Sequence, residues 1–315
     1  MSNLTPRARP FRFQAVWMEH HNFEALLVQN WKPSLALVPA LQHLAEDLQN
    51  WNKEVFGNLF RRKRKCSARL YGVQKRLADG GGRHLLKLES KLRKELNMTL
   101  NQIETVWFQK SRMSAIRDGD RNTHYFHLST IIRRKSNRTE ALQDSSGTWI
   151  TGPTALSHLV QNYFSNLFSE VLPRGGRTHL LSGRFPVLQE DTFTAICKPF
   201  DLQDVHSAVH SMDPYKAPGP DGFHALFFQN YWDLVGDKVC QLVLDVLKGA
   251  RFSEGLNNTF LALIPKVVNP QHISQFRPIG LCNVVYKVIT KIIVGRLKHA
   301  FQELISPCQA SFILG

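Results

Sequence analysis

The chain has 315 residues and a mass of 36.0 kDa, enough for two domains of ordinary size or for one large domain with an extension. Its apolar fraction of 43% excludes a wholly disordered chain, and its apolar runs fall short of the roughly 20 residues that a bilayer-spanning helix needs. The 40 Lys and Arg residues exceed the 25 Asp and Glu residues, giving a net charge of +15. This excess indicates a polyanionic partner, either nucleic acid or an acidic membrane surface.

The N-terminal residues and the cysteines both predict an intracellular protein. Met1–Pro10 contains two arginines but no apolar stretch of the kind found in secretory signals. The cysteines are odd in number and widely spaced, without a Cys-x-x-Cys pair, so we expect neither a disulfide framework nor a zinc site. The five cysteines are Cys66, Cys197, Cys240, Cys282 and Cys308.

Most of the positive charge lies in the first half of the chain. Residues 1–150 contain 26 Lys and Arg against 13 Asp and Glu, whereas residues 151–315 contain 14 against 12. Two basic clusters stand out as candidate nucleic-acid-binding residues, and the first of them is also typical of a nuclear import signal. The clusters are Arg61, Arg62, Lys63, Arg64 and Lys65, and further along Arg133, Arg134 and Lys135.

The first cluster lies within a predicted helical hairpin. Apolar residues recur at spacings of three and four from Leu41 to Leu77 and again from Leu85 to Trp107, which predicts two long helices. The glycines of Asp79–Gly82 separate them. Each arm would be on the order of 50 Å long. Two interpretations stay open, namely a hairpin with solvated polar faces and a basic arm that lies along phosphates.

The next segment combines aromatic residues with short predicted elements. Tyr125 and Phe126 lie among arginines, where they would either stack on unpaired bases or be buried in a core. Thr139–Ile150 has a polar turn between apolar flanks and is predicted to form a β-hairpin. A helix is predicted over Ala155–Phe168, and Pro173–Arg184 is rich in turn-forming residues and is predicted to be a surface loop.

The second half opens with a short helix and a proline- and glycine-rich turn. Asp201 is the predicted N-cap of that helix, which Pro214 ends. The turn Lys216–Phe223 has two prolines and two glycines, which restrict the backbone to one path. That path is consistent with an ordinary rigid turn or with a close approach to a ligand. A helix is then predicted over Leu226–Leu247.

Two strands and a final helix complete the predicted elements. Thr259–Ile264 is predicted to be a buried strand, and Phe276–Leu281 a second short strand. Asn283 is the predicted cap of a long amphipathic helix. Lys287 and Lys291 lie on its polar face with Lys298, where they would be either solvated or placed along a phosphate backbone.

Several motifs together resemble a known family. The runs KAPGPDGF, LIPK, FRPIGLCNVVYKVITKIIVGRLK and QASFILG resemble the fingers and upper palm of reverse transcriptases, with the closest likeness to plant non-LTR (LINE-type) retrotransposons. Upstream, RPFRFQAVW, WNKEVFGN, WFQKSR, GDRNTHYFHLST and DSSGTWI resemble the linker between endonuclease and polymerase in those elements. The resemblance covers nearly the whole chain. It implies a mostly helical α+β fold, with a basic helical-hairpin linker in residues 1–150 and a partial reverse-transcriptase domain in residues 151–315.

The resemblance also implies roles for individual residues. Lys266 and Arg277 match the two basic residues that contact the incoming triphosphate, and their charges suit phosphate oxygens. The sequence departs from the family pattern where FRPIG replaces FRPIS and QASF replaces QSAF. Expected contacts to template or backbone are Lys216, Asp221, Gly222, Lys287 and Lys291.

The carboxylates that hold the two metal ions of a polymerase have no match in the sequence. Polymerases of this family use an aromatic-x-Asp-Asp hairpin, and the chain contains no pair of adjacent aspartates. The resemblance therefore predicts a truncated reverse-transcriptase-like chain of transposable-element origin that is inactive alone. No cofactor is expected in it, and Mg²⁺ is expected only for a longer enzyme.

Two other functions remain open. The first is a non-enzymatic nucleic-acid-binding protein that uses the basic hairpin and the fingers. The second is a polymerase whose palm is supplied by another copy. In each case the expected partner is RNA or DNA and not a membrane, and the oligomeric state is left open.

Overall fold

A computed structural model of the chain describes residues 10–112, 123–169 and 187–305. The predicted loop Pro173–Arg184 and the motif QASFILG lie outside these residues. The described helices are α1 (Phe23–Asn30), α2 (Leu37–Trp51), α3 (Leu59–Ala78), α4 (Arg83–Ser111), α5 (Thr123–Ser136), α6 (Pro153–Phe168), α7 (Glu190–Cys197), α8 (Leu202–His210), α9 (Ala225–Asn230), α10 (Trp232–Leu247) and α11 (Val284–Leu304). The described strands are β1 (Ala141–Gln143), β2 (Trp149–Thr151), β3 (Thr259–Pro265) and β4 (Phe276–Cys282).

These elements confirm a mostly helical α+β chain. The strands form two separate antiparallel pairs, β1 with β2 and β3 with β4. The first pair is the hairpin predicted over Thr139–Ile150. Its turn is held by Asp144, whose Oδ1 accepts hydrogen bonds from the backbone N–H of Ser146 at 2.8 Å and of Thr148 at 3.0 Å. In the described ranges, no helix combines the length and the apolar character that crossing a bilayer requires.

The prediction of one continuous helix from Leu41 to Leu77 is wrong. Helix α2 ends at Trp51, a turn of π-helix covers Asn52–Phe56, and Gly57 has a φ of 74°. Helix α3 then starts afresh, with the Asn58 side chain accepting a hydrogen bond from the backbone N–H of Arg61 at 3.0 Å. The apolar stripe crosses this break because Trp51 and Phe56 are both buried in the main core. The sequence period therefore continues although the helix does not.

Helices α3 and α4 form the basic arm, which we define as residues 59–111. Helix α3 has 20 residues and α4 has 29 residues, so they are about 30 and 43 Å long. A small cluster of buried side chains holds them together, separate from the main core. The cluster contains Cys66, Val73, Leu85 and Leu92.

The main core combines side chains from both halves of the sequence. Phe13 lies 5.3 Å from Phe227 between ring centroids, and Phe11 lies 5.0 Å from Phe223. All four rings are buried in one cluster with residues of α1, α2, α8, α10 and α11. The N-terminal segment, residues 10–14, is thereby fixed against the region that follows the proline- and glycine-rich turn.

The helices of the second half differ from the sequence prediction at one point. Asp201 caps α8 as predicted, and Asp204 completes a reciprocal capping box with it. The single helix predicted over Leu226–Leu247 is wrong, because α9 ends at Asn230 and α10 begins at Trp232. Tyr231 separates them with φ −117° and ψ 32°, outside the helical region.

The predicted burial of Thr259–Ile264 is wrong. The segment does form β3, which pairs with β4 from Thr259 opposite Cys282 to Pro265 opposite Phe276. Its side chains are largely accessible, however, and Phe260 and Leu261 are 40% and 49% exposed. A two-stranded sheet has only one neighbour for each strand, so the apolar run is not covered on both faces as it would be in a larger sheet.

Candidate nucleic-acid interface

The turn Lys216–Phe223 is held in one conformation by its own hydrogen bonds. Gly222, with a φ of 80°, donates its N–H to the carbonyl of Gly219 at 3.1 Å. The Asp221 carboxylate accepts a hydrogen bond from the backbone N–H of Phe223 at 3.1 Å. The Asp221 N–H in turn donates to Asn283 Oδ1 at 3.1 Å. The defined path that the prolines and glycines predict is therefore present.

Two glycines of the turn allow neighbouring chain segments to come close. A Cβ on Gly219 would lie 2.3 Å from Asn283 Oδ1, and a Cβ on Gly222 would lie 2.3 Å from the carbonyl oxygen of Phe11. Gly222 also accepts a hydrogen bond from the Phe13 N–H at 3.0 Å. The turn is thus clamped between the N-terminal segment and the start of α11.

Asn283 has a different role from the one predicted. It occupies the N-cap position of α11, but its side chain makes no capping hydrogen bond. Its Nδ2 instead donates to the carbonyls of Gly255 at 3.1 Å and Leu256 at 3.2 Å. Together with the hydrogen bond from the Asp221 N–H, these contacts connect the turn to the loop before β3 through the Asn283 side chain.

Basic side chains surround the turn and bind backbone carbonyls. Arg12 Nη1 donates to the carbonyl of Gly219 at 3.2 Å, and Lys287 Nζ donates to that of Ala217 at 3.1 Å. Lys291 Nζ donates to the carbonyl of Ser211 at 3.4 Å. Lys287 and Lys291, with the exposed Lys216, line a cavity of about 280 Å³ beside the turn. The structure thus brings these three predicted residues together.

Burial perturbs the titration of the groups beneath the turn. It raises the pKa of Asp221 to about 6, although the Phe223 N–H and the charges of Lys287 and Arg12 oppose this shift. It also lowers the pKa of both Lys287 and Arg12. Asp221 therefore takes up a proton at a higher pH than an exposed aspartate does, and it lies close to two cations.

A larger cleft borders the turn at Pro218 and has a strongly basic wall. Its volume is about 550 Å³, and it lies between the N-terminal segment, the end of α4, helix α5 and the β3–β4 pair. Among the described residues that line it there is no Asp or Glu. The basic wall consists of Arg12, Lys110, Arg112, Arg133 and Arg134. We refer to this feature as the cationic cleft.

The opposite wall of the cationic cleft is apolar and comes from one face of the β3–β4 pair. Its residues are Ala262, Ile264, Ile279 and Leu281. Ala262 pairs with Ile279 across the strands, and paired residues of antiparallel strands point to the same face. The Arg12 guanidinium lies 5.5 Å from the ring centroid of Phe260 on this sheet.

Backbone carbonyls fix one arginine of the basic wall in place. Arg133 donates from Nη1 to the carbonyl of Ser111 and from Nη2 to that of Lys110, both at 2.8 Å. These carbonyls belong to the last turn of α4, which lacks intrahelical partners for them. Burial lowers the pKa of Arg112, and the nearby charges of Arg133 and Arg12 lower it further. Arg112 therefore lies close enough to both Arg133 and Arg12 for its guanidinium group to be repelled by theirs.

The two expected triphosphate contacts, Lys266 and Arg277, lie at different places relative to the cationic cleft. Arg277 is exposed and pairs with Ile264, so its side chain shares the face of the sheet that forms the apolar wall. Lys266 follows the end of β3, and its Nζ donates to the carbonyl of Ser274 at 2.9 Å. Lys266 is thus at the end of the strand pair, next to the loop that joins β3 to β4.

Four of the five residues of the first basic cluster face solvent. Arg61, Lys63, Arg64 and Lys65 are exposed on α3. Arg62 differs, because its Nη2 donates to the carbonyl of Phe56 at 2.6 Å and its Nη1 to Gln102 Oε1 at 3.2 Å. Arg62 thus connects α4 to the turn of π-helix that precedes α3.

Aromatic side chains connect the basic arm with the cationic cleft. The ring centroids of Phe60 and Trp107 are 6.3 Å apart, and those of Trp107 and His127 are 4.3 Å apart. Lys110 Nζ lies 4.9 Å from the Trp107 ring centroid. In the second basic cluster Arg134 and Lys135 are exposed, and of the two aromatic residues beside it Phe126 is buried whereas Tyr125 is half exposed.

The sequence pattern does not single out several residues of the cationic cleft. Arg12, Lys110 and Arg112 are isolated basic residues in the sequence, and His224 follows the turn without any recognisable motif of its own. The signal that includes the first three is the family resemblance, because RPFRFQAVW contains Arg12 and WFQKSR contains Lys110 and Arg112. Within residues 10–112, 123–169 and 187–305, no group of three or more His, Cys, Asp and Glu side chains is placed to hold a metal ion.

Comparisons with known proteins give one informative similarity. No family model matches the chain. The chain is 28% identical over 277 residues to the transposon TX1 uncharacterized 149 kDa protein of Xenopus laevis. The match covers 87% of this chain and 21% of that protein, so the chain spans about a fifth of its relative's length. The chain is thus related to a transposon protein, which supports an origin in a retrotransposon-like element.

Proposed function

We propose that this chain is the linker and fingers region of a reverse transcriptase from a non-LTR retrotransposon, and that it binds RNA or DNA through the cationic cleft and the basic arm. The observation that carries the proposal is the composition of the cleft, five basic side chains facing an apolar wall without a lining carboxylate among the described residues. The motif resemblance and the similarity to a transposon protein support the assignment to a mobile element.

The two walls of the cationic cleft suit the two parts of a nucleotide chain. Guanidinium groups that repel one another are stabilised when phosphates come between them, because each phosphate is a bidentate acceptor of opposite charge. The apolar face of the β3–β4 pair offers a surface for unpaired bases, which stack on apolar and aromatic side chains without regard to sequence. The cleft therefore suits a single strand with its phosphates on the basic wall.

The basic arm extends this surface. Its exposed cluster follows Phe60, which contacts Trp107 next to Lys110 of the cleft. A polynucleotide longer than the cleft would continue along α3 and add phosphate contacts there.

The described residues support a proposal of nucleic-acid binding but not one of catalysis. They do not include a carboxylate cluster fit for Mg²⁺, and the full sequence has no pair of adjacent aspartates. We therefore assign no step of a polymerase reaction to them, and propose that the chain alone binds nucleic acid without extending a primer. Arg277, on the face of the apolar wall, and Lys266 are the proposed contacts to a triphosphate.

Non-enzymatic nucleic-acid binding is the second candidate function. It is favoured by the basic arm, whose exposed cluster lies on a part of the chain that resembles the linker rather than the polymerase. Both candidate functions predict that the chain alone does not extend a primer, and primer extension separates both of them from an active polymerase. Incorporation that depends on Lys266 and Arg277 would favour the polymerase and would refute our proposal that the chain alone is inactive.

A salt titration tests the cleft. The affinity of the purified chain for a labelled single-stranded oligonucleotide should fall with salt, with a slope of about −0.7 per phosphate contacted. The double variant Arg112→Gln/Arg134→Gln should make this slope shallower by about 1.4. These two arginines are chosen because Arg12 and Arg133 also bind backbone carbonyls.

The matched control for this titration removes two charges elsewhere. Lys248 and Arg251 are exposed and follow α10, outside the cationic cleft. The double variant Lys248→Gln/Arg251→Gln has the same net charge as the cleft variant. An equal loss of slope in both variants would show that net charge, and not the cleft, governs binding and would contradict the proposal.

A further inference from the structure

A further cavity lies between the turn, helix α2 and the loop before β3. Its volume is about 290 Å³, and it shares no lining residue with the cationic cleft or with the cavity beside Lys216. Its walls are mostly apolar and come from the N-terminal segment, α2, the loop and α11. The apolar residues that line it include Phe11, Leu37, Val38, Leu41, Leu256 and Val285.

The charged side chains of this cavity are carboxylates. Among the described residues that line it they are Asp221 and Glu46, and no Lys, Arg or His is present. This sign is the opposite of that of the chain as a whole, whose net charge is +15. Glu46 is exposed whereas Asp221 is partly buried, so Asp221 is the deeper of the two. We refer to this feature as the acidic cavity.

One oxygen of the Asp221 carboxylate is available to a ligand. Oδ1 accepts the hydrogen bond from Phe223, whereas Oδ2 has no donor in the described part of the chain. The neighbouring Gly222 N–H donates to the carbonyl of Gly219 instead. In the same part of the chain, His224 Nδ1 is the buried side-chain atom that lacks a partner. Oδ2 also lacks a partner but is not among the buried atoms, so it keeps accessible surface.

The cations near Asp221 do not form an ion pair with it. Arg12 and Lys287 donate to backbone carbonyls at 3.2 and 3.1 Å, and the ion pairs of the described residues do not include Asp221. The pKa of Asp221 is about 6, so the group is mostly ionised at pH 7.5. A partly buried carboxylate without a direct partner is costly, and a cationic donor would relieve that cost.

We propose that the acidic cavity binds a small organic cation, namely an ammonium or amidinium group on an apolar body, with Asp221 Oδ2 as the acceptor. A pocket with apolar walls and one or two well-placed polar groups is the usual form of a small-molecule site. A hydrogen bond between a cation and a carboxylate is among the stronger ones. A volume of about 290 Å³ suits a single ring or a short alkyl chain. The inference does not depend on nucleic-acid binding, because the cationic cleft is lined by other residues.

Three aromatic probes of nearly the same shape but different charge test the chemistry of the site. Benzamidine is a cation, benzamide is neutral and benzoate is an anion. Calorimetry or ligand-observed NMR with the full chain at pH 7.5 measures their affinities. Benzamidine should bind at least tenfold more tightly than benzamide, the size expected of one hydrogen bond between charged groups. Benzoate should not bind in this cavity.

Two variants locate the binding site. Asp221→Asn should weaken benzamidine about tenfold or more, because the side-chain N–H₂ then meets the donors of the ligand. Asp245→Asn, at an exposed position of α10, removes the same charge elsewhere and should have no effect. Val38→Phe should weaken benzamidine by filling the cavity without a change in charge. Val28→Phe, at an exposed position of α1 outside the cavity, is its control.

The possible results separate this inference from the proposed function. Absence of benzamidine binding at millimolar concentrations, equal affinities for benzamidine and benzamide, or an unchanged affinity in Asp221→Asn would each overturn it. Urea unfolding of each variant shows whether a loss of binding reflects a loss of folding, and Asp221→Asn keeps the acceptor for the Phe223 N–H. The salt slope of oligonucleotide binding tests the cationic cleft independently, and Arg112→Gln/Arg134→Gln should leave benzamidine binding unchanged.

Discussion

Replacing Asp221 by Asn should change how the stability of the protein depends on pH. The carboxylate accepts a hydrogen bond from the Phe223 N–H at 3.1 Å and lies near the charges of Arg12 and Lys287. An asparagine Oδ1 can accept the same hydrogen bond, and the side chain keeps its size. The substitution therefore isolates the effect of ionisation from that of packing.

The magnitude follows from the shift in pKa. Burial raises the pKa of Asp221 from 3.8 to about 6, a difference that corresponds to roughly 3 kcal/mol. Because the side chain is partly exposed, we expect about 2 kcal/mol. The folded state binds the proton more tightly than the unfolded state, so the free energy of unfolding decreases as the pH rises from about 4 to above 6.

His224 acts with the opposite sign and has to be separated from Asp221. Its pKa is lowered to about 4, so the unfolded state binds the proton more tightly and stability increases as the pH rises from 4 towards 6.5. The two effects oppose each other in the unsubstituted protein. The difference between that protein and Asp221→Asn cancels the contribution of His224.

Urea unfolding followed by tryptophan fluorescence, from pH 4.5 to 7.5, measures this difference. Relative to the unsubstituted protein, Asp221→Asn should gain about 1 kcal/mol of stability between the two ends of the range, because pH 4.5 already lies above the unfolded-state pKa of 3.8 and only part of the roughly 2 kcal/mol falls within the range. Asp245→Asn, at an exposed position of α10, is the control and should leave the profile unchanged. Parallel profiles for the unsubstituted protein and Asp221→Asn would refute the reasoning that Asp221 is buried at a cost.

Three further substitutions test the close approach at the turn and the division of roles in the basic arm. Gly222→Ala places a Cβ 2.3 Å from the Phe11 carbonyl oxygen. Gly249 is the control, because its φ is also positive but no atom lies within 4 Å of an added Cβ. Gly222→Ala should lower the free energy of unfolding by about 1–3 kcal/mol more than Gly249→Ala does. Equal losses in thermal or urea unfolding would show that the close approach is unimportant. Arg62→Gln should lower the melting temperature and leave the salt slope of duplex binding unchanged, since Arg62 binds the Phe56 carbonyl. Lys63→Gln should leave the melting temperature unchanged and reduce the salt slope by about 0.9 if the arm binds a duplex. A salt slope that changes in Arg62→Gln but not in Lys63→Gln would contradict this division of roles.

Local chemistry in the sequence predicts several elements well. The Asp144 turn and the Asp201 cap are correct because each depends on side-chain hydrogen bonds within a few residues. The break after Trp51 could not be predicted from the apolar period, since Trp51 and Phe56 keep the stripe intact while the helix changes to a π-helical turn. The exposure of β3 could not be predicted from the local sequence either, because it depends on how many strands join the sheet.

The cationic cleft depends on contacts between distant parts of the sequence. Arg12, Arg112 and His224 come from three separate segments and meet because Phe13 and Phe223 share one core. The charge count of the first half predicts a basic surface, but it does not distinguish an exposed side chain such as Lys63 from Arg62, which is turned inward. Side-chain direction is decided by neighbouring carbonyls that only the folded chain brings within reach.

Those carbonyls explain how the protein keeps a high positive potential at the site. Arg12 and Arg133 of the cationic cleft are both held by backbone oxygens, which fix a cation without neutralising it, although Arg12 also lies near the Asp221 carboxylate. Among the described residues the ion pairs are Arg93–Glu89, Arg138–Glu140 and Arg296–Asp204, and none of these three pairs lines the cationic cleft. A carboxylate partner would orient an arginine equally well but would cancel its charge. Orientation by carbonyls therefore leaves the cations to be balanced by an anion from outside, as a phosphate backbone would do.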